Sequence, residues 1–189
     1  DGTEIPTGYS NDDWINLSTD AYAAYPHDNS HGNVSTCDGD CVEVYGNLYN
    51  WYAVETGNLA PEGWHVPSDD EIKELEMYLG MSQGDADNTT YRGTDEGSKL
   101  AGRADLWNDG YLESNSEFGT SGFSTLPGGY RMSGYGFYLN MNNYSFFWSS
   151  TALNSTMKWS RSLNFNNSRA YRYWYDEATG LSVRCVRAA

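Results

Sequence analysis

One segment of this chain has a strong helical signature, and the shortage of others limits the folds open to it. In residues 67–80, Ser68 and Glu71 match a Ser-x-x-Glu capping box, and the apolar residues that follow recur at helical spacing. Shorter helical segments are predicted at residues 49–54 and 97–102. Helical signals are few in the rest of the sequence.

Short strands and long loops are predicted for the rest of the chain. Its 20 glycines and abundant Ser, Thr and Asn residues interrupt every apolar run. Four segments have strand-like composition: residues 123–126, 146–150, 160–165 and 181–186. Residues 81–122 are predicted to be mostly loop. The length of 189 residues suits a single domain over residues 1–189.

The net charge of −15 is unevenly distributed along the chain. Residues 1–129 form an acidic scaffold region with four basic and 24 acidic side chains, net −20. Residues 130–189 have seven basic and two acidic side chains, net +5, and 14 of the 29 aromatic residues. The acidic surface argues against nucleic acid as the partner. No apolar run approaches the roughly 18 residues of a membrane span, so none is expected.

Residues 135–176 have the composition of a binding surface. Their 42 residues include seven Asn, seven Ser and six Tyr, and Phe and Trp add seven more. Tyr offers a rigid face with a hydroxyl, while Ser and Asn offer adaptable hydrogen bonds. The alternative is that the rings belong to the hydrophobic core. We expect this for Trp148, and we expect Leu163 to pack inward as well. Four basic residues are expected to add charge-assisted donors: Lys158, Arg161, Arg169 and Arg172.

The three cysteines leave the redox chemistry open. Cys37 and Cys41 lie in Cys-Asp-Gly-Asp-Cys, where either a small-loop disulfide or two free thiols is possible. A disulfide would favour an extracellular setting. Cys185 is predicted to be a small buried hydrophobe. Asp38 and Asp40 could contribute to a calcium site, but no spaced ligand set accompanies them, and no metal site or cofactor is predicted.

Catalytic motifs are not found in the sequence. The sequence contains no Gly-x-Ser-x-Gly, His-Glu-x-x-His or phosphate-binding glycine loop. His27 and His31 lie in a polar loop, and His65 is expected to be structural. We therefore predict a protein without enzymatic activity.

Five blocks, in order along nearly the whole chain, resemble the Fibrobacter succinogenes major paralogous domain family. The blocks are residues 45–54 (YGNLYNWYAV), 60–68 (APEGWHVPS), 122–131 (GFSTLPGGYR), 147–151 (FWSST) and 180–187 (GLSVRCVR). That family is grouped with C-type lectin-like folds near the formylglycine-generating-enzyme type. The resemblance implies an α+β, C-type lectin-like fold with small twisted antiparallel sheets, two helices and long loops. It does not imply oxidase activity, because Cys185 has no matching second active-site cysteine.

Members of this lectin-like group also serve as variable proteins of diversity-generating retroelements, in which mutagenesis at adenines favours Asn, Ser, Tyr, Asp and Phe near the C-terminus. The resemblance implies a frame that includes Trp148, Arg161, Leu163, Val183 and Cys185. Alignment to that frame places sixteen candidate ligand-binding residues within residues 135–176: Tyr135, Tyr138, Asn140, Asn142, Tyr144, Phe146, Asn154, Met157, Ser160, Ser162, Asn166, Arg169, Tyr171, Tyr173, Trp174 and Tyr175. Ser160, Ser162 and Asn164 alternate with Arg161, Leu163 and Phe165, so one set is expected to face outward and the other inward on a strand.

These observations predict a monomeric ligand-binding protein displayed outside the cell, or on a cell or virus surface, with an unknown protein or cell-surface partner. Three alternatives stay open. The chain could be a secreted or surface glycan-binding module of the same family, an enzyme of the formylglycine-generating kind, or a purely structural domain.

Overall fold

The computed structural model describes residues 4–26 and 40–187, which form a mixed helix and sheet structure. Six α-helices are present in these ranges, and five of them are only four or five residues long. A short 3₁₀ helix covers Ala104–Leu106. The α-helices are α1 Asn11–Trp14, α2 Cys41–Tyr45, α3 Trp51–Glu55, α4 Asp69–Tyr78, α5 Gln83–Asp87 and α6 Glu96–Leu100.

The predicted capping-box helix is α4. The Ser68 hydroxyl accepts a hydrogen bond from the Glu71 amide at 3.2 Å, and the Glu71 carboxylate accepts one from the Ser68 amide at 2.8 Å. Glu71 also lies 2.6 Å from His65 Nε2, which gives that histidine a structural partner, as expected. The predicted helical segments at 49–54 and 97–102 correspond to α3 and α6.

The two helices implied by the family resemblance are too few, because six α-helices are present in the described ranges. Three of these, α1, α2 and α5, were not predicted from the sequence either. Each begins at a side-chain cap, from Ser10, Asp40 and Ser82 respectively. At four or five residues these helices are too short to show an apolar repeat, so tertiary packing stabilises them rather than periodicity.

Ten strands form four small sheets, and every pair of neighbouring strands is antiparallel. The largest sheet has the order β4-β9-β8-β7, and the others pair β1 with β2, β10 with β3 and β5 with β6. The strands are β1 Tyr22–Ala24, β2 Asn47–Tyr49, β3 Trp64–His65, β4 Thr90–Arg92, β5 Gly128–Arg131, β6 Tyr138–Met141, β7 Tyr144–Ala152, β8 Met157–Asn164, β9 Asn167–Asp176 and β10 Val186–Arg187.

Three of the predicted segments differ from the structure. Residues 123–126 contribute only an isolated bridge at Thr125, and residues 181–186 contribute bridges at Leu181 and Ser182 before β10. Residues 81–122 contain α5, β4 and α6 rather than loop alone. These pairings join residues far apart in sequence, so a local pattern does not reveal them. The strands predicted at 146–150 and 160–165 fall within β7 and β8, apart from Phe165.

The main sheet is covered on both faces. Leu163 packs in one apolar cluster with Leu100, Trp107 and Leu112, on the side of α4 and α6. Phe146 and Trp148 pack on the other side with Trp51, Val54, Val66 and Leu181. A third cluster surrounds Trp14 between the β1–β2 and β5–β6 pairs.

This two-sided cover corrects the expectation that one set of β8 side chains faces solvent. Ser160 and Ser162 do lie opposite Arg161 and Leu163, but all four are buried, with exposures of 1 %, 4 %, 0 % and 0 %. The frame assignments of Trp148, Arg161 and Leu163 agree with their complete burial. Alternation alone distinguishes two faces of a strand, but it does not say whether either face reaches water.

A buried ion-pair network of Asp69, Glu76, Arg92, Arg161 and Arg172 joins α4 to the main sheet. Arg161 donates to Asp69 at 2.7 Å and to Glu76 at 2.8 Å. Arg92 donates to both oxygens of Glu76, at 2.6 and 2.9 Å. Arg172 donates to both oxygens of Asp69, at 3.0 and 2.6 Å. The network therefore fixes the helix against β4, β8 and β9 with charge-assisted hydrogen bonds.

The ionic state of this network follows from its neighbours. Burial raises the pKa of Asp69, but hydrogen bonds from Arg172 and the charge of Arg161 outweigh it, so the pKa ends below its ordinary value. Desolvation lowers the pKa of Arg92, which its bonds to Glu76 oppose. Three guanidinium groups share two carboxylates in the network. Loss of either carboxylate would therefore leave buried positive charge uncompensated.

Candidate ligand-binding site

An aromatic face lies on the side of the main sheet opposite α4. It consists of a continuous series of rings from three strands of the sheet and from β5: Tyr91, Tyr171, Tyr173, Tyr175, Tyr130, Phe146 and Tyr144. Tyr91 and Tyr171 are 4.8 Å apart between ring centroids, and Tyr130 and Phe146 are 4.9 Å apart. Odd-numbered residues of β9 reach this face because side chains alternate along a strand.

The rings surround an aromatic cavity of about 290 Å³. All of its lining side chains are uncharged, and most carry a hydroxyl or an amide. Phe146 and Ser162 line the cavity although each is only 4 % exposed. The lining residues are Tyr91, Tyr130, Asn140, Tyr144, Phe146, Ser162, Tyr171 and Tyr175.

Asn164 holds two of the lining rings in place. Its amide nitrogen donates to the hydroxyl oxygens of Tyr91 and Tyr144, both at 2.9 Å. Phe146 stacks on Tyr144 at 5.5 Å and meets Tyr175 edge-on at 5.8 Å. The walls of the cavity are therefore ordered before any ligand arrives, which lowers the entropic cost of binding.

Four phenol groups of this face stay neutral at pH 7. Burial raises the pKa of Tyr130, Tyr144, Tyr171 and Tyr175 above the ordinary value of 10.0. Each therefore presents a hydroxyl that can both donate and accept a hydrogen bond. Such a cavity suits a ligand with an apolar surface and several polar groups.

A second, polar cavity of about 370 Å³ adjoins the β8–β9 turn. Asn, Ser, Tyr and one Arg line it: Tyr111, Ser114, Asn115, Asn166, Asn167, Ser168 and Arg169. The Arg169 guanidinium carbon lies 5.2 Å from the centroid of the Tyr91 ring. Since Tyr91 lines the aromatic cavity, Arg169 stands between the two cavities.

The family model of the Fibrobacter succinogenes major domain matches residues 1–187. The chain belongs to that family. The match covers the acidic scaffold region and the aromatic C-terminal region together. No curated protein and no solved structure matches the chain.

The sixteen candidate residues divide into groups in this Fibrobacter succinogenes major domain. Six of them line the aromatic cavity: Asn140, Tyr144, Phe146, Ser162, Tyr171 and Tyr175. Asn166 and Arg169 line the polar cavity. Tyr173 and Trp174 lie further along β9 and stack on each other with ring centroids 4.3 Å apart.

Four further candidates lie away from the aromatic cavity: Tyr135, Asn142, Asn154 and Met157, a half-buried residue that begins β8. Asn154 caps the β7–β8 turn, where its side chain accepts from the Met157 amide at 2.9 Å. Asn142 donates to the Tyr45 hydroxyl at 2.9 Å and to the Leu106 carbonyl at 2.8 Å. Tyr135 is 66 % exposed in the β5–β6 turn. The structure thus gives Asn142 and Asn154 structural bonds and leaves Tyr135 at the surface.

Two candidates are almost completely buried. Tyr138 is 4 % exposed and packs in the Trp14 cluster, with its ring 4.8 Å from the Arg131 guanidinium carbon. Ser160 is 1 % exposed, and its hydroxyl donates to the Tyr173 carbonyl at 3.2 Å. Tyr138 borders a separate cavity of about 300 Å³ beside Tyr9 and Arg131, away from the aromatic cavity, and the Ser160 side chain is covered by its neighbours.

The expected basic donors are also mostly internal. Arg161 and Arg172 belong to the buried network, and Lys158 lies 4.3 Å from the centroid of the Trp51 ring and 3.2 Å from Glu177. Of the four basic residues proposed as donors, only Arg169 is exposed. The net +5 of residues 130–189 is therefore largely an interior charge that neutralises buried acids.

Sequence reasoning missed Tyr91, Tyr130 and the bridging role of Asn164. Tyr91 lies in β4, a three-residue strand too short to produce a detectable alternation. Tyr130 follows two glycines within a family block and precedes the 135–176 segment in which the candidate residues were placed. Neither local context reveals that the ring points into a cavity formed by other strands.

The remaining predictions concern metals, cysteines and membranes. Within residues 4–26 and 40–187, no three His, Cys, Asp or Glu side chains converge as a metal site would require. Asp40 accepts from the Val42 amide at 2.9 Å as the cap of α2. Cys185, predicted to be buried, is only half-buried, and partial burial raises the pKa of its free thiol. No helix in the described ranges is long and apolar enough to cross a membrane. Cys37, Asp38, His27 and His31 lie outside the described residues, so the Cys37–Cys41 disulfide stays a prediction.

Proposed function

We propose that this chain is a non-catalytic ligand-binding protein whose contact surface is the aromatic face. The observation that carries the proposal is the uncharged cavity of about 290 Å³, walled by five tyrosines and one phenylalanine. Rigid aromatic side chains supply large contact area at low entropic cost, and Asn and Ser supply adaptable hydrogen bonds. The small antiparallel sheets and few long helices are compatible with the proposed C-type lectin-like fold.

The diversity-generating retroelement is the specific form of this proposal. Six of the eight residues that line the aromatic cavity belong to the candidate variable set. Trp148, Arg161 and Leu163 are completely buried beneath them, so surface side chains could change without repacking the frame. The partner would then be a protein or another cell-surface ligand, and the protein would act outside the cell or on a cell or virus surface.

A glycan-binding module of the same family is the second candidate. The hydroxyl and amide groups around the aromatic cavity favour it, because sugar rings present apolar C–H faces and polar edges together. Tyr rings pack against such faces while their hydroxyls hydrogen-bond the edges.

The retroelement proposal is tested by sequencing the complete gene locus. We expect a reverse transcriptase gene beside a near-copy of the 135–187 coding region that differs at adenines only. Adenine-linked substitutions should fall on exposed or half-exposed positions such as Asn140, Tyr171 and Trp174, and should spare Tyr138 and Ser160. A complete locus with no such pair of elements would contradict the retroelement proposal.

The biochemical test of the aromatic face is an NMR screen with small aromatic, saccharide and peptide fragments. We expect hits to shift the side-chain amide signals of Asn140 and Asn164, which lie at the cavity. Tyr171→Ala should weaken those hits about tenfold, as truncation of a contact aromatic does.

Tyr78→Ala is the matched control for that screen. Tyr78 is 86 % exposed on α4, on the other side of the sheet, so its loss should leave the affinities unchanged. Circular dichroism would confirm that both variants fold. Hits that cluster elsewhere, or that are insensitive to Tyr171→Ala, would refute binding at the aromatic face.

A further inference from the structure

Arg169 is an exposed cation without an acidic partner in the described part of the chain. Its Nε donates to the Asn167 side chain at 3.3 Å, and its two terminal nitrogens have no hydrogen bond to any described residue. By contrast, Arg103 is paired with Asp105 at 2.7 Å and Lys99 with Asp95 at 2.8 Å. A guanidinium with both terminal nitrogens free is suited to bind a carboxylate through two parallel hydrogen bonds.

The position of Arg169 links its charge to the aromatic cavity. Arg169 and Tyr171 are two residues apart on β9, so both side chains lie on the same face of the sheet. Arg169 lies over the Tyr91 ring, and the Tyr91 and Tyr171 rings are 4.8 Å apart. A ligand group in the aromatic cavity can therefore be adjacent to a second group held by Arg169.

The net negative charge of the chain makes anion binding at this face depend on Arg169. With a net charge of −15, the chain repels anions at long range. Most basic side chains near the site are withdrawn into the interior, as for Lys158, Arg161 and Arg172. An anionic ligand would therefore depend on one local contact, and that contact is available at Arg169.

The polar cavity indicates which kind of anionic ligand fits. Beside Arg169 it is lined by Asn and Ser side chains, with Tyr111 as its one ring. The side-chain amides and hydroxyls of this cavity can each donate and accept hydrogen bonds, as the hydroxyl groups of a sugar require. Two adjoining cavities, one aromatic and one polar, match successive units of a saccharide.

We propose that the ligand of the aromatic face is an acidic sugar chain whose carboxylate binds Arg169 while a neighbouring ring occupies the aromatic cavity. This assignment rests on the proposed ligand-binding function and specifies the ligand class. It places the charged unit at the mouth of the polar cavity and uses no catalytic step and no metal ion.

The test compares sugars that differ only in the acidic group. Methyl glycosides of glucuronic and galacturonic acid are titrated by NMR against methyl glucoside and methyl galactoside. At least one uronate should bind about tenfold more tightly than its neutral counterpart, the gain expected from a charge-assisted contact. That preference should weaken as salt is raised, because the contact is exposed.

Arg169→Gln should abolish the roughly tenfold preference for the uronate over its neutral counterpart. Arg187→Gln is the matched control, since Arg187 is another exposed arginine, in β10 outside the two cavities. Equal binding of acidic and neutral sugars, or a preference that survives Arg169→Gln, would overturn the assignment while leaving the aromatic face as a binding site.

A short acidic peptide, acetyl-Glu-Phe-Glu amide, completes the design. Arg169-dependent binding of this peptide with no binding of either uronate would assign the site to a protein partner and overturn the sugar. Absence of uronate binding also overturns the assignment of an acidic sugar, whether or not the peptide binds. The fragment screen tests the proposed function independently. It follows the side-chain amide signals of Asn140 and Asn164 and does not depend on the charge of the ligand.

Discussion

Glu76→Gln is expected to lower the free energy of unfolding by about 3–5 kcal/mol, the cost of breaking a buried ion pair by removing one partner. Glu76 is completely buried and accepts hydrogen bonds from both Arg92 and Arg161. Loss of its charge leaves three buried guanidinium groups with the single carboxylate of Asp69. Urea denaturation followed by circular dichroism at pH 7 measures the change.

Glu74→Gln on the same helix is the control for this prediction. Glu74 is exposed and has no ion-pair partner among the described residues, so its replacement should change stability by less than about 0.5 kcal/mol. A loss below about 1 kcal/mol for Glu76→Gln would mean that the network is not the main link between α4 and the sheet.

Gly129→Ala is expected to cost about 3 kcal/mol or more. Gly129 has φ +61°, a conformation that costs an L-residue about 1–2 kcal/mol. An added Cβ would lie 2.2 Å from the Leu139 carbonyl oxygen and 2.7 Å from the Met141 nitrogen, so the β5–β6 pair must separate. Overpacking of this kind adds about 1–3 kcal/mol. Thermal and urea unfolding would both register the loss.

The neighbouring glycine provides the matched control. A Cβ at Gly128 would meet its nearest atom, Cβ of Tyr45, at 3.4 Å, which is ordinary contact. Gly128→Ala should therefore change stability by about 1 kcal/mol at most. Similar losses for the two variants would contradict the argument from the backbone conformation. Because Tyr130 and Asn140 line the cavity beside Gly129, only Gly129→Ala should also weaken the fragment hits at Asn140.

The sequence predicted those parts of the fold that depend on local chemistry. The capping box of Ser68 and Glu71 predicted the start of α4, because both partners lie within one helical turn. The Tyr, Asn and Ser content of residues 135–176 pointed to the strands that supply most of the cavity wall. The five blocks identified the family, since they match in order over nearly the whole chain.

Other parts of the site could not be predicted, because they depend on pairing between distant strands. Tyr91 joins the cavity only because β4 pairs with β9, which places Tyr91 opposite Tyr171. Arg172 was predicted to be a surface donor, yet it is buried against Asp69, which lies about 100 residues earlier in the chain. Ser160 faces the same side as the tyrosines but is buried beneath them.

The sequence by itself determined that this chain has few helices, an acidic N-terminal region, an aromatic C-terminal region and membership of its family. Only the tertiary structure decided that most positive charge of the C-terminal region lies in the interior and that Arg169 stays outside beside the aromatic cavity. The reason is physical. Composition sets which groups are present, whereas the exposure of each group depends on which elements cover it, and here those elements come from the opposite half of the chain.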